Sequence, residues 1–226
     1  MMNNECLLCL SLNECPEHFG SSSSRDIHSF RKGHIIYRQD NPNNHVYYIL
    51  QGIIKIYTIC ESGKQIIHKL LPAGELLGIS SLNDAKYASY SAEVLVDAKV
   101  YILEKSTVLD LFVSRPVFAQ RVLKQIIKAK EDAYLRQYQL INLNVRQRMA
   151  RCLLDLSKIF GEITNKGLKI KLPLSREELA SIVGIAPETA IRLVSDFKNN
   201  RLINEENHEI IIIDDQALES EYQKKT

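Results

Sequence analysis

The stretch from Leu174 to Asn200, LSREELASIVGIAPETAIRLVSDFKNN, restricts the fold of this chain more than any other part of it. Ser175 and Glu178 form an S-x-x-E capping box that opens a short helix. Leu179, Ala180 and Val183 give that helix a buried side, and Ala180 is small where a second helix must cross closely. Gly184 can take the positive φ that a sharp turn demands. Pro187 then suits the first turn of a new helix, where a missing N–H costs nothing. Ala190, Leu193, Val194 and Phe197 make an inward stripe; Glu188, Thr189, Ile191, Arg192 and Asp196 are left facing out. Two helices joined in this way read as a helix-turn-helix. Its outer face offers a carboxylate for cytosine N4 and a guanidinium for guanine O6 and N7 in a major groove. An ordinary helix pair with solvated charges would not require the cap, the small crossing residue, the turn glycine, the N1 proline and the stripe at these offsets together.

The rest of the composition limits what accompanies this element. A chain of 226 residues can build one large or two small cores, and 45% hydrophobic with 25% charged residues is ordinary for a soluble protein. The net charge of +2 gives no global attraction to nucleic acid, so affinity must come from a local patch. No apolar run is long enough for a membrane span, and MMNNEC lacks the features of a signal peptide. A cytoplasmic protein without membrane contact is expected. Five cysteines, three of them crowded at Cys6, Cys9 and Cys15, point in a reducing compartment to a metal or redox site before a disulfide framework.

Hydrophobic periodicity divides the chain. A leader, residues 1–24, holds the cysteines and ends in the serine run Ser21–Ser24. From Ile27 to about Leu103 short β-rich runs (HIIY, HVYYIL, IIKIYTI, KQIIHKLL, SAEVLV, KVYIL) alternate with glycines, which predicts an antiparallel roll or barrel with a hairpin tip at ESGK, 61–64. Ser106–Val113 reads as a short helix that Pro116 ends or bends. A run without Gly or Pro follows from Val117 to about Leu143, with Val122, Ile126, Ala129, Ala133, Arg136 and Leu140 in 4,3 spacing. That spacing predicts a coiled-coil dimer seam on a helix of roughly 37 Å, with Arg136 as its blemish. A buried packing helix within one subunit is the other reading. Val145–Phe160 is a further helix, KGLKIKLPL a strand, and Leu202–Ile203 with 209–214 a closing two-stranded wing.

Roll, long helix and winged helix-turn-helix, in that order, resemble the Crp/Fnr family of bacterial transcription regulators. The resemblance spans about Ile27 to Asp214. It rests on Phe30-x2-Gly33-x-Ile35-Ile36, Val46-Tyr47-Tyr48-Ile49-Leu50-x-Gly52, Gly74-Glu75-x2-Gly78, Arg148-Met149-Ala150 and Pro187-Glu188-Thr189-Ala190-Ile191-Arg192. The implied fold is α+β: a cyclic-nucleotide-binding-like antiparallel β-roll (25–115), a dimerisation helix (116–143) and a winged helix-turn-helix domain (144–226). The implied function is that of a homodimer that binds a near-palindromic operator and contacts RNA polymerase, its DNA affinity set by the roll. Glu188 and Arg192 match the family's base-reading pair and Thr189 its backbone-contacting neighbour. Pro187 stands where cyclic-AMP-type members have another base-reading Arg, and Ile191 where oxygen-sensing members tend to have Ser. Ile191 could touch a thymine methyl. Ser175, Pro187, Glu188, Thr189, Ile191 and Arg192 are the candidate DNA-contacting residues.

Family members that bind cyclic nucleotide use a Glu on the ribose and an Arg-Ser pair on the phosphate; in register these places hold Ile79 and Ala88-Ser89. Loss of both charged ligands argues against cyclic AMP, at about 1.5–3 kcal/mol per charge-assisted hydrogen bond. Cys6-x2-Cys9-x5-Cys15 has the spacing with which oxygen-sensing members hold three corners of a [4Fe–4S] cluster. The family's fourth ligand aligns with Tyr101, and Cys60 is the other roll cysteine. His18 instead completes C-x2-C-x5-C-x2-H, a four-ligand set for zinc, and a leader of free thiols is the third reading. Cys152 reads as a small buried hydrophobe. The remaining histidines, His28, His34, His45, His68 and His208, form no H-x-H constellation, and no nucleophile elbow, phosphate loop or paired carboxylate points to an enzyme. The expectation is a dimeric regulator. Its rivals are a ligand- or redox-sensing module whose helix-turn-helix makes protein contacts and, more remotely, a barrel enzyme.

Overall fold

The computed structural model describes residues 27–83, 87–207 and 209–223. Two compact units divide at Glu131/Asp132. The boundary falls inside one continuous helix.

The first unit is an antiparallel sheet of six strands: β1 (Ile27–Phe30), β2 (Ile35–Tyr37), β3 (His45–Ile59), β4 (Gln65–Pro72), β5 (Leu76–Leu77) and β6 (Ser91–Glu104). Their order is β1-β6-β3-β4, with β2 also on β6 and β5 also on β3. The two long strands, β3 and β6, pair along most of their length with register shifts between Ile49 and Ile54. Bulges of this kind bend a strand and raise its twist, which lets one sheet wrap into a roll. Gly52 sits at the bend with φ 91°, and a Cβ there would lie 2.3 Å from the Asp97 carbonyl oxygen. Strand alternation then separates two apolar clusters. Tyr47, Ile49 and Ile54 face the roll interior with Val94, Ala98 and Val100. Val46 and Tyr48 face the other way, with Leu76, Tyr101 and Leu103, toward the helices.

Helix α1 (Lys105–Ser114) stops at Arg115, and Pro116 begins α2 (Pro116–Asn142), so the proline ends one helix and opens the next. Val108 of α1 and Phe118 and Val122 of α2 complete the second cluster. Gln125 fixes α2 to the glycine loop of the roll: its Nε2 donates to the Leu76 carbonyl at 2.8 Å and its Oε1 accepts from the Leu76 N–H at 3.1 Å.

Two positions of the row expected as the coiled-coil seam do not face outward. Val122 is buried against the roll, and Arg136 donates to the Ser181 carbonyl rather than facing outward. The other four, Ile126, Ala129, Ala133 and Leu140, are exposed, as are Leu123, Ile127, Tyr134, Leu135, Tyr138 and Ile141 beside them on the helix.

The second unit contains the end of α2, then α3 (Val145–Phe160), α4 (Arg176–Val183), α5 (Pro187–Asn199) and α6 (Asp215–Gln223). Its sheet is β7 (Gly161–Thr164), β8 (Gly167–Ile170), β9 (Ile203–Glu206) and β10 (Glu209–Ile212), in the order β7-β8-β10-β9. The strand expected over KGLKIKLPL is β8, and the unanticipated β7 before it pairs with it as a hairpin. The Thr164 hydroxyl donates to the Gly167 carbonyl across its turn, and Gly167 takes φ 127°. The expected two-stranded wing is half of a four-stranded sheet, because Ile211 and Ile212 of β10 pair with Lys169 and Leu168 of β8. Helix α6 was not anticipated. Asp214 starts it by accepting the Ala217 N–H at 2.8 Å, and Leu218 is fully buried. Asn144 and Gln147 form a reciprocal capping box on α3, and α6 packs along that helix, with the Arg151 guanidinium 5.2 Å from the Tyr222 ring centroid.

Candidate nucleic-acid interface

Helix α4 starts where the capping box places it. The Ser175 hydroxyl accepts the Glu178 N–H at 3.1 Å, and the Glu178 carboxylate accepts the Ser175 N–H at 3.0 Å. At its far end Gly184 adopts φ 74°, and the N–H groups of Gly184 and Ile185 both donate to the Ala180 carbonyl. Pro187 then opens α5. Ala190 and Phe197 are fully buried, with Val194 and Leu193 beside them. The inward stripe predicts the outward face, and Glu188, Ile191 and Arg192 are exposed on it while Thr189 is half-buried.

Glu188 and Arg192 make no hydrogen bond or ion pair among the described residues, so both head groups are available to a ligand. Pro187 contributes shape without a donor. The Ser175 oxygen accepts as the helix cap, and its hydroxyl also hydrogen-bonds the Glu177 carboxylate. Asp196 does not belong to this open face. It pairs with Arg146 of α3, which also pairs with Glu221 of α6 and lies 4.7 Å over the Phe197 ring. Ser195, exposed one turn beyond Arg192, extends the face. It went unnamed in the sequence, although its i+3 spacing from Arg192 was the available signal.

The cations around this face are mostly engaged. Arg176 at the start of α4 and Lys198 near the end of α5 both pair with Glu205, at 2.6 and 3.5 Å. Lys166 pairs with Glu206 and Lys169 with Glu209, each at 2.5 Å. The side chains of Arg192 and Arg201 carry no such partner among the described residues.

In the roll, Gly78 turns with φ 82° into a short 3-10 segment whose first residue is Ile79, which packs on the helix-side cluster. Ala88 is buried in the roll interior, in the same cluster as Tyr37, Tyr47 and Tyr90. Burial pushes the Tyr37 phenol well above its ordinary range and raises that of Tyr47, so these hydroxyls stay neutral. Tyr47 donates to Asn43 Oδ1 at 3.3 Å. The places that would hold a ribose carboxylate and a phosphate cation are therefore apolar, which does not fit a cyclic nucleotide.

Tyr101 is buried in the helix-side cluster. Cys60 is half-buried at the hairpin end, its Sγ donating to the Lys64 carbonyl at 3.1 Å. Cys152 is half-buried on α3, and desolvation pushes its thiol up to about 12. Cys6, Cys9, Cys15 and His18 lie outside the described residues. Among the described residues no three His, Cys, Asp or Glu side chains converge to hold a metal, and no helix is long and apolar enough to cross a membrane.

A glycine-bent β-roll joined to a capped helix-turn-helix with a free Glu and Arg on its outer face defines a class: a two-part regulator with a DNA-binding helix-turn-helix. Comparison with known proteins agrees. Residues 27–115 match the family model of the cyclic nucleotide-binding domain, and residues 147–221 that of the Crp-like helix-turn-helix domain. The chain is 23% identical over 189 residues to a CRP-like cAMP-activated global transcriptional regulator of Mycobacterium tuberculosis, covering 84% of each chain. It is 25% identical over 209 residues to the transcriptional activator protein anr of Pseudomonas aeruginosa, covering 92% of this chain and 85% of that one. A solved CRP/FNR-family regulator from Thermus thermophilus superimposes with TM-score 0.75 at 21% identity, covering 88% of this chain and all of the other. The chain belongs to the Crp/Fnr family of transcription regulators, a family of DNA-binding proteins rather than enzymes.

Proposed function

We propose that this protein is a homodimeric, cytoplasmic regulator that reads a near-palindromic operator through Glu188 and Arg192 and contacts RNA polymerase when bound. The observation that carries the reading is the pair of unpartnered head groups of Glu188 and Arg192, exposed on one helix whose opposite side is buried core. Thr189, Ile191, Pro187 and Ser175 supply the flanking contacts: hydroxyls for phosphate, an apolar side chain for a thymine methyl, and the shape of the helix start. The division of labour is a leader (1–24), a sensory roll (25–115), a dimerisation helix (116–143) and a DNA-reading domain (144–226). The seam runs along α2, where Leu123, Ile126, Ile127, Tyr134, Tyr138, Leu140 and Ile141 leave apolar surface open.

The signal enters through the N-terminal part and is not cyclic AMP, given Ile79 and Ala88 at the ribose and phosphate places. Cys6, Cys9 and Cys15 are the donors for a [4Fe–4S] cluster with Cys60 as the available fourth thiol; zinc held with His18 is the second reading. The reading is tested on a duplex selected from random DNA by the wild-type protein. Arg192→Ala lowers affinity for that duplex by about 1–3 kcal/mol, and Glu188→Ala relaxes the preference at the same base pair. Binding to random duplex is unchanged. Equal losses on both duplexes would show that neither residue reads bases and would favour a helix pair that makes protein contacts.

A further inference from the structure

Arg136 interrupts the apolar spacing of the long helix, and the structure shows what holds it there. Its Nη2 donates to the carbonyl of Ser181 at 3.4 Å, in the last turn of α4. A helix end leaves its final carbonyls without donors inside the helix. Here those carbonyls are shared out. Ala180 receives the turn amides of Gly184 and Ile185, and Ser181 receives Arg136. Arg148 of α3 donates from Nε to the Val183 carbonyl at 3.2 Å and from Nη2 to that of Gly184 at 3.4 Å. Its Nη1 donates to the Leu143 carbonyl, just past the end of α2, at 2.8 Å. Two guanidinium groups thus meet the negative end of the α4 dipole, one from each flanking helix.

The contact continues one turn along α2. A Cβ built on Gly184 would lie 3.1 Å from Leu140 Cδ2, so the end of the long helix packs directly on the turn between α4 and α5. All of these residues lie within one compact unit, Asp132–Thr226. The core of the helix pair, from Leu179 and Ala180 to Ala190 and Phe197, is buried independently of Arg136.

We propose that Arg136 is a positioning residue for DNA reading, locking the α4–α5 pair to the last turns of the long helix and so fixing the spacing of two half-sites. The proposal rests on the paired reading given above. A helix pair released from α2 still recognises one half-site. It loses the pre-organisation that makes binding of the second half-site an intramolecular event at one distance and twist.

The test uses the full chain, wild type against Arg136→Met and Arg136→Lys. The probes are the duplex selected from random DNA by the wild type, the same duplex with one base pair inserted or deleted between half-sites, and a single half-site. One base pair rotates the half-sites by roughly 35°. Arg136→Met should bind the optimal duplex about tenfold more weakly while losing little on the altered spacings and nothing on the single half-site. The spacing preference therefore flattens. Arg136→Lys, which keeps the charge and one donor, should fall between the two. An equal loss on all duplexes, or an unchanged spacing profile, overturns the assignment of Arg136. Failure of the wild type to select any two-half-site duplex overturns the paired reading itself, and is seen before any variant is measured.

Discussion

Replacing Arg146 with Met probes how the recognition helix is held. The guanidinium joins three elements: its own helix α3, Asp196 of α5 and Glu221 of α6, and it lies over the Phe197 ring. Glu221 is the more costly partner to abandon, since its side chain is only 12% exposed against 45% for Asp196. A carboxylate left without its cation in so dry a place costs about 2 kcal/mol, below the range for full burial because Arg146 itself is partly solvated. The half-exposed Asp196 pair adds about 0.5 kcal/mol, and the cation over Phe197 a similar amount. Arg146→Met should therefore destabilise the second unit by about 3 kcal/mol. Native-state hydrogen exchange on α3, α5 and α6 reads the loss directly. Glu221→Gln alone should cost less, and the double variant should cost about 1.5 kcal/mol less than the two single changes taken together. Additivity within about 0.5 kcal/mol would refute the argument, since it would mean that Arg146 and Glu221 do not interact.

Two further outcomes follow from the sensory part. Cyclic AMP at millimolar concentration should leave DNA affinity unchanged, because Ile79 and Ala88 give its ribose and phosphate no charged partner; micromolar binding by calorimetry would defeat that alignment. Protein isolated without air should be brown and bleach in oxygen with a change in DNA affinity, and Cys9→Ser should abolish the colour while Cys152→Ser does not. Colourless protein with about one zinc per chain, lost on replacing His18, decides for the other metal. Colourless protein free of metal rejects both.

The elements that punctuate themselves were legible in the sequence. Ser175 with Glu178, Gly184 and Pro187 bounded α4 and α5 correctly because each acts within one turn of its own position. The β-rich runs HVYYIL and IIKIYTI were legible for the same reason, and both fall within β3. What failed depends on partners distant in sequence. On α2, the inward turn of two expected seam positions depends on Val122 meeting the roll and Arg136 meeting Ser181, 45 residues away. Asp196 read as free because its partner Arg146 is 50 residues distant. The hairpin of β7 and β8 was hidden for a different reason: T-N-K-G was itself a turn signal, outweighed by the apolar alternation that follows it.

The pairing of Glu205 with both Arg176 and Lys198 has a consequence for how such a protein would find its site. Cations already satisfied within the chain release few counterions when a duplex arrives, so contact with arbitrary sequence is weak and brief. Across residues 132–226 the acidic and basic side chains are equal in number, fourteen of each, so no wider field compensates. For a regulator that binds DNA in this way, repeated short visits through solution are expected to outweigh long one-dimensional sliding. Little of it is sequestered on irrelevant sequence, and occupancy of the operator responds to small changes in the amount of binding-competent protein.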